Sequence, residues 1–202
     1  MKLFHTGNSP YARRARIAAR LAVSTSGLNV EEIDVAPLMA EDNIIRQFGP
    51  GFKVPGLATD SGAFFCETLV ITSYLNEQSG GKLMPGDQAT AEQARELEGI
   101  ASLLLDSLFA RSHEKRREPG EHSPAVIEKE AARATRSYDA LDARLSGQPA
   151  TLDLGTIAAI AALGYADWRH ADDNWRTGRD GLAAWFDDMM KHEAVADTKP
   201  VF

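Results

Sequence analysis

Hydrophobic positions follow different patterns in the two halves of the chain. Up to about residue 80, short apolar stretches alternate with amphipathic ones, in the order strand, helix, strand, short helix, strand, strand, helix. These elements are expected at residues 2–5, 10–22, 29–35, 40–48, 57–59, 63–66 and 68–78. Two alternations that end in a hairpin predict an α/β fold, in which helices pack on a mixed sheet.

Beyond residue 87 the apolar residues recur at steps of three and four, which is the spacing of one face of an α-helix. Helices are expected over 89–113, from Pro124 after a cap at Ser123, over 154–169, and after a cap at Asp180. The segment 154–169 is apolar nearly all round, so its helix should be buried on every side. We therefore expect an α/β domain over 1–80 and an all-helical domain over 87–202.

The net charge of −7 over 202 residues argues against nucleic acid or an anionic membrane as the main partner. Two local basic clusters, at 13–16 and 115–117, lie at helical spacing and are expected to form solvated faces. The N-terminus has no apolar leader, and no apolar run approaches the length of a membrane span. We expect a cytoplasmic protein without a membrane partner.

The chain has a single cysteine, Cys66, which excludes an intrachain disulfide framework and suits a reducing compartment. Cys66 lies in a predicted strand, where a buried small apolar residue is the expected role. The histidines His113 and His122 match no metal-ligand spacing, so no metal site is expected.

Val54-Pro55 interrupts the approach to the predicted hairpin. Proline cannot donate to a sheet ladder and biases the preceding residue toward extended geometry. If this peptide bond is cis, the backbone groups of Val54 face outward and can pair with an extended peptide, as in strand addition. The alternative is that Pro55 simply begins an edge strand.

Two helix starts carry polar groups of interest. Glu67-Thr68 opens a helix directly after a strand, so its N–H groups can hold a ligand carboxylate while the Glu67 side chain takes an ammonium group. The alternative is an ordinary cap with Glu67 exposed. Ser9 begins the first long helix, where it either serves only as the N-cap or also donates its hydroxyl to a bound thiolate.

Together these motifs resemble the glutathione S-transferase family, over nearly the whole chain. The matching stretches are Ser9-Pro10-Tyr11, Lys53-Val54-Pro55 with Leu57, Glu67-Thr68, and Asp153-Leu154-Gly155-Thr156-Ile157-Ala158. The resemblance implies a thioredoxin-like N-terminal domain, an all-α C-terminal domain, and usually a homodimer. It also implies that glutathione is the co-substrate and that a small electrophile lies between the domains.

Carried over by position, the resemblance gives each motif a role. Ser9 would donate to the thiolate, and Val54 would pair with the cysteinyl backbone at the bend made by Pro55. Glu67 and Thr68 would hold the γ-glutamyl end, and Lys53 would reach toward the glycyl carboxylate.

Several residues leave alternatives open. Asn8 competes with Ser9 as the thiolate donor. Tyr11 is a further candidate site residue, and His113 is a candidate near the electrophile. Asp106 either faces the cleft or is a surface acid. Phe48-Gly49-Pro50-Gly51-Phe52 replaces the family's more usual approach to the loop.

The resemblance implies a transferase with a detoxification role, since serine stands where the thiol-transfer members carry cysteine. A non-catalytic binding or regulatory module of the same fold is the alternative. A glutathione-dependent reductase or peroxidase is a third interpretation.

Overall fold

The computed structural model describes residues 1–200. Its sheet has four strands, which are β1 (Lys2–His5), β2 (Glu31–Asp34), β3 (Gly56–Ala58) and β4 (Phe64–Cys66). They lie in the order β2-β1-β3-β4, with β1 and β2 parallel and the other two pairs antiparallel. The predicted mixed sheet with a closing hairpin is therefore confirmed, although β2 is shorter than the predicted 29–35.

Two helices accompany this sheet, α1 (Pro10–Ser26) and α2 (Thr68–Gln78), and they pack against each other and against the strands. Helix α1 begins with Ser9 as its N-cap and ends at Gly27, whose φ of 74° is the left-handed conformation that glycine adopts without a steric penalty. The short helix predicted over 40–48 is a 3₁₀ helix, Ile44–Gln47. The bounds of α2 agree with the prediction.

The remainder is helical, as predicted. The helices are α3 (Gln88–Glu114), α4 (Pro124–Leu145), α5 (Leu154–Arg169), α6 (Asp180–Met189) and α7 (Glu193–Ala196), with a short 3₁₀ helix at Ala171–Asp173. The predicted cap at Asp180 is wrong, because the capping position is Arg179 and no side chain caps α6.

Helix α5 is the centre of the helical half and packs against α3 and α1. Most of its residues are buried, which confirms the prediction from its apolar sequence. Gly155 allows this packing, since a Cβ there would lie 2.4 Å from the carbonyl oxygen of Ala94 in α3. One hydrophobic cluster continues from Leu3 in β1 through α5 to Val195 in α7, so the two halves share a core. The division into domains over 1–80 and 87–202 stays a prediction.

The prediction of a solvated basic face on α1 is wrong. Arg13, Arg14 and Arg16 are all buried, because α1 is covered by the helical half as well as by the sheet. Arg14 forms an ion pair with Glu98 of α3, and the Arg16 Nε donates to Glu32 of β2 at 2.6 Å. Arg13 pairs with no carboxylate among the described residues, and burial lowers its pKa to about 10. Arg14 therefore joins the two halves, as does Arg13, whose guanidinium donates to the Val195 carbonyl of α7 at 3.4 Å. Arg16 binds within the sheet half.

The second basic cluster, Lys115-Arg116-Arg117, is exposed after the end of α3, as predicted. Over residues 1–200, no helix combines the length and the apolar character that a membrane span requires.

Candidate functional site

A cavity of about 680 Å³ lies between the sheet half and α3. It is lined by all the residues for which the sequence predicts the main binding roles, namely Ser9, Lys53, Val54, Pro55, Glu67 and Thr68. Tyr11 and His113 also line it, and Asp106 faces it rather than lying apart on the surface. Asn8 is not part of this lining.

Ser9 is held in place by its role as a helix cap. Its Oγ accepts a hydrogen bond from the Ala12 N–H at 3.2 Å, so the hydroxyl proton is not used in the cap. Within residues 1–200 that proton has no acceptor, and Ser9 can therefore donate it into the cavity. Asn8 is exposed, and its Oδ1 accepts from the Thr6 hydroxyl at 2.9 Å.

The Val54-Pro55 peptide bond is cis, as the outward-facing arrangement of Val54 requires. The N–H and C=O of Val54 make no hydrogen bond to any other described residue. Lys53 is exposed beside it and has no ion-pair partner in the described chain. The backbone of the next residue, Gly56, lies close to the ring of Phe64, since a Cβ at Gly56 would lie 2.4 Å from that ring.

The unusual loop before Lys53 is anchored by aromatic packing. The Phe48 ring stacks against Phe4 and Phe64, with centroid distances of 5.4 and 5.2 Å, and the Phe4 and Phe64 centroids lie 6.2 Å apart. The guanidinium of Arg46 lies over the ring of Phe52, 4.1 Å from its centroid, which is a cation–π contact. The departure from the family's usual loop sequence is thus accommodated by a compact, apolar loop that still presents Val54 to the cavity.

The start of α2 is strained and uncapped. Glu67 has φ 69° and ψ 126°, a conformation that non-glycine residues rarely adopt, and no side chain caps the helix. The Glu67 side chain is exposed, whereas Thr68 is buried. The Thr68 hydroxyl has no hydrogen-bond partner in residues 1–200. Backbone N–H groups, a hydroxyl and a carboxylate therefore meet at one point of the cavity wall.

The opposite wall is formed by α3. Tyr11 of α1 donates its hydroxyl proton to Asp106 Oδ1 at 2.6 Å. Burial, together with this hydrogen bond, raises the pKa of Tyr11 well above its usual range, so the phenol stays protonated at neutral pH. The Tyr11 ring packs edge-on against the Phe109 ring at a centroid distance of 5.2 Å. The centroids of the His113 and Phe109 rings lie 4.1 Å apart.

The expectation that Cys66 is buried is wrong. Its side chain is exposed and lines the cavity, next to Glu67. The reason is that β4 is an edge strand of only three residues, so its last residue is not covered. In the described part of the chain, no three His, Cys, Asp or Glu side chains come together as a possible metal site.

Comparison with known proteins agrees with this arrangement. Residues 3–83 match the family model of the glutathione S-transferase N-terminal domain. The uncharacterized GST-like protein YibF of Escherichia coli (strain K12) is 27% identical over 204 residues, which cover 99% of this chain and 98% of that protein.

Two solved structures with a similar fold are informative. A glutathione S-transferase from Methylobacillus flagellatus KT with GSH bound has a TM-score of 0.88 and 28% identity, and the match covers 99% of both chains. A glutathione transferase family member from Pseudomonas fluorescens Pf-5 with bound glutathione has a TM-score of 0.86 and 25% identity, with 100% and 99% of the chains covered.

Residues 3–83 therefore match the N-terminal domain of the glutathione S-transferase family, and the chain as a whole has the glutathione S-transferase fold. The family resemblance and fold class that the sequence predicts are confirmed. The roles of the individual site residues stay predictions.

Proposed function

We propose that this protein is a glutathione transferase that binds glutathione in the 680 Å³ cavity, ionises its thiol and joins the sulfur to a small electrophile. The observation that carries the proposal is the convergence of unpartnered polar groups from three separate elements on one cavity. Relatives of similar fold have been solved with glutathione bound, which supports the same co-substrate here.

The γ-glutamyl end of glutathione fits the start of α2. The first N–H groups of an α-helix have no partner within the helix, and they carry the positive end of the helix dipole. Here no side chain caps them, so they are available to the ligand's carboxylate together with the Thr68 hydroxyl. The exposed Glu67 carboxylate takes the ligand's ammonium group.

The cysteinyl part of glutathione fits Val54. Its free N–H and C=O can form two hydrogen bonds with an extended peptide, in the manner of an added antiparallel strand. Lys53, which has no protein partner among residues 1–200, reaches toward the glycyl carboxylate. These contacts hold both ends of the tripeptide and place its sulfur near Ser9.

Ser9 then stabilises the thiolate. Lowering a thiol pKa from about 8.5 to about 6.5 requires about 2.7 kcal/mol of preference for the anion. A hydrogen bond to a charged group contributes about 1.5–3 kcal/mol, and a helix start contributes about 0.3–1 kcal/mol more. Tyr11 does not compete for this role, because its only hydroxyl proton is donated to Asp106.

In the reaction, the thiol proton leaves to solvent and the sulfur lone pair forms a bond to an electrophilic carbon. Where that carbon carries a leaving group such as chloride, the carbon–chlorine bond breaks and chloride departs with the bonding electrons. The protein supplies position and electrostatic stabilisation, and no covalent intermediate with the protein is needed.

A homodimer is part of the same proposal. Leu69, Val70 and Leu103 are large apolar residues of α2 and α3 with 52, 49 and 59% of their surface exposed. A second copy of the chain would cover them. Sedimentation should give twice the chain mass for the wild type and the chain mass for Leu103→Glu. A monomeric wild type would contradict the dimer.

The function is tested with two serine variants that lose the same structural contact. Ser9 caps α1 and Ser123 caps α4, each through its Oγ. Calorimetry measures glutathione binding, and the absorbance of the bound thiolate is followed against pH. Ser9→Ala should raise the thiolate pKa by about 1–2 units through loss of a charged hydrogen bond, whereas Ser123→Ala should leave it unchanged. Absence of any bound thiolate at neutral pH in the wild type would overturn the transferase proposal.

A further inference from the structure

The wall of the cavity that faces away from the sheet is one side of α3. Five polar or aromatic residues recur along this side at steps of three and four, and they contact α1 or line the cavity. They are Glu98, Ser102, Asp106, Phe109 and His113. Two residues of α1 complete the arrangement. Arg14 binds the Glu98–Ser102 end, and Tyr11 binds Asp106.

The Tyr11–Asp106 pair presents only hydrogen-bond acceptors to the cavity. Tyr11 has one hydroxyl proton, and Asp106 Oδ1 receives it. Asp106 Oδ2 has no partner within residues 1–200. The nearby Arg14 does not neutralise this carboxylate by direct contact, because its guanidinium donates to Ser102 Oγ at 2.8 Å and to Glu98.

The remaining charges of the cavity are matched by the groups of glutathione itself. Glu67 has the ligand's ammonium as its partner and Lys53 has the glycyl carboxylate, if glutathione binds as proposed above. His113 lies further along α3, and the Arg116 guanidinium next to it lies outside the cavity lining, 3.2 Å from the His113 Nδ1. Asp106 is therefore left as the unmatched negative charge in the part of the cavity that remains for the electrophile.

We propose that Asp106, oriented by Tyr11, determines which electrophiles the protein accepts: it favours electrophiles that carry a hydrogen-bond donor or a positive charge and disfavours anionic ones. This inference rests on the proposed transferase function and concerns the second substrate of the same site. Phe109 provides the apolar surface for the body of the electrophile, and Asp106 acts on its polar substituent.

A matched set of electrophiles separates charge from shape. The set is a chloronitrobenzene that carries, para to the chlorine, a carboxamide, a methyl ester or a carboxylate. In each case the thiolate forms the carbon–sulfur bond at the chlorine-bearing carbon and chloride leaves with the bonding electrons. The three S-aryl glutathione conjugates that result can also be prepared separately and bound to the protein, which requires no catalysis.

The experiment measures dissociation constants of the three conjugates by calorimetry, and kcat/KM for the three electrophiles, with wild type and Asp106→Asn. For the wild type we expect the carboxylate conjugate to bind about tenfold more weakly than the carboxamide conjugate, because its carboxylate lies at short range from that of Asp106 at the protein surface. Asp106→Asn removes the charge with little change of shape, so the ratio should fall to about twofold.

Glu92→Gln is the matched control. Glu92 is an exposed carboxylate on the same helix that lies outside the cavity lining, so this variant should keep the wild-type ratio. Equal affinities of the carboxylate and carboxamide conjugates for the wild type would overturn the inference, as would an unchanged ratio in Asp106→Asn. If glutathione binds normally and only the conjugate preference is missing, the proposed function stands. If glutathione itself does not bind, both proposals fail.

Discussion

Helices α2 and α5 begin in similar settings and are completed in different ways. Helix α2 follows strand β4 and α5 follows a loop, and each starts with backbone N–H groups that have no partner inside the helix. At α5 the Thr156 N–H donates to Asp153 Oδ1 at 2.9 Å, and the Asp153 N–H donates to Thr156 Oγ1 at 2.8 Å. At α2 no side chain performs this task.

The difference follows the location of the two helix starts. The start of α5 lies within the packed helical half, where an unpaired polar group would cost about 1–3 kcal/mol, so the chain satisfies its own N–H groups. The start of α2 opens on the large cavity, where a ligand can satisfy them. Each of the four helices longer than α2 begins with a side-chain cap, whereas α2 and the shorter helices α6 and α7 have none. Of these three uncapped starts, only that of α2 lines the cavity. An uncapped helix start at a cavity therefore indicates a site for an anionic group.

The largest expected effect is on ligand binding at α2. Glu67→Ala removes the carboxylate that pairs with the ligand's ammonium group, and it should weaken glutathione binding by about 1.5–3 kcal/mol. The free energy of unfolding should change little, because the Glu67 side chain is exposed and caps nothing. Calorimetry with glutathione and urea denaturation of the free protein measure the two quantities.

Glu77→Ala is the control for this variant, since Glu77 is also exposed and lies at the far end of α2. It should leave the dissociation constant of glutathione unaltered. If Glu67→Ala binds glutathione as tightly as the wild type does, the γ-glutamyl end does not lie at α2. The missing cap of α2 would then be no evidence of a ligand site.

The next effect is on stability at α5. Asp153→Ala removes one partner of the capping box and should lower the free energy of unfolding by about 1–2 kcal/mol, while glutathione binding stays the same. Asp180→Ala is the matched control at the start of α6, where the aspartate makes no capping hydrogen bond. Its loss should stay within the helix-dipole contribution of about 0.3–1 kcal/mol. Equal losses in the two variants would show that the capping box contributes nothing beyond charge.

The sequence predicts some features of the two helix starts and not others. The bounds of α2 and α5 follow from the sequence, because the positions of apolar residues are a local signal. The candidate cavity residues also follow from local motifs. The conformation of Glu67 does not, since a glutamate gives no sign that its φ is positive.

The misjudged residues are those whose environment is made by distant parts of the chain. The spacing of Arg14 resembles that of a solvated helix face, and only the packing of α1 against α3 brings Glu98 to it. The Tyr11–Asp106 contact joins the same two helices, and no local sequence pattern predicts it either. Cys66 is exposed because β4 is the edge strand, and strand order is a property of the whole sheet.

The smallest expected effect isolates the backbone strain at the start of α2. At φ 69° and ψ 126°, Glu67 occupies a region that is costly for any residue with a Cβ and open to glycine. Glu67→Gly and Glu67→Ala remove the same carboxylate, so their glutathione affinities should fall together. Their free energies of unfolding should differ, because glycine relieves the strain but also makes the unfolded chain more flexible. The net effect should leave the glycine variant more stable by about 1 kcal/mol. Urea denaturation of the two variants side by side measures this difference. The control is Glu77→Gly against Glu77→Ala, at a position with ordinary helical geometry. There the glycine variant should be the less stable one, by about 1 kcal/mol. If glycine is no better than alanine at position 67, the strain does not exist in solution, and the bare start of α2 would have to be explained by its missing cap alone.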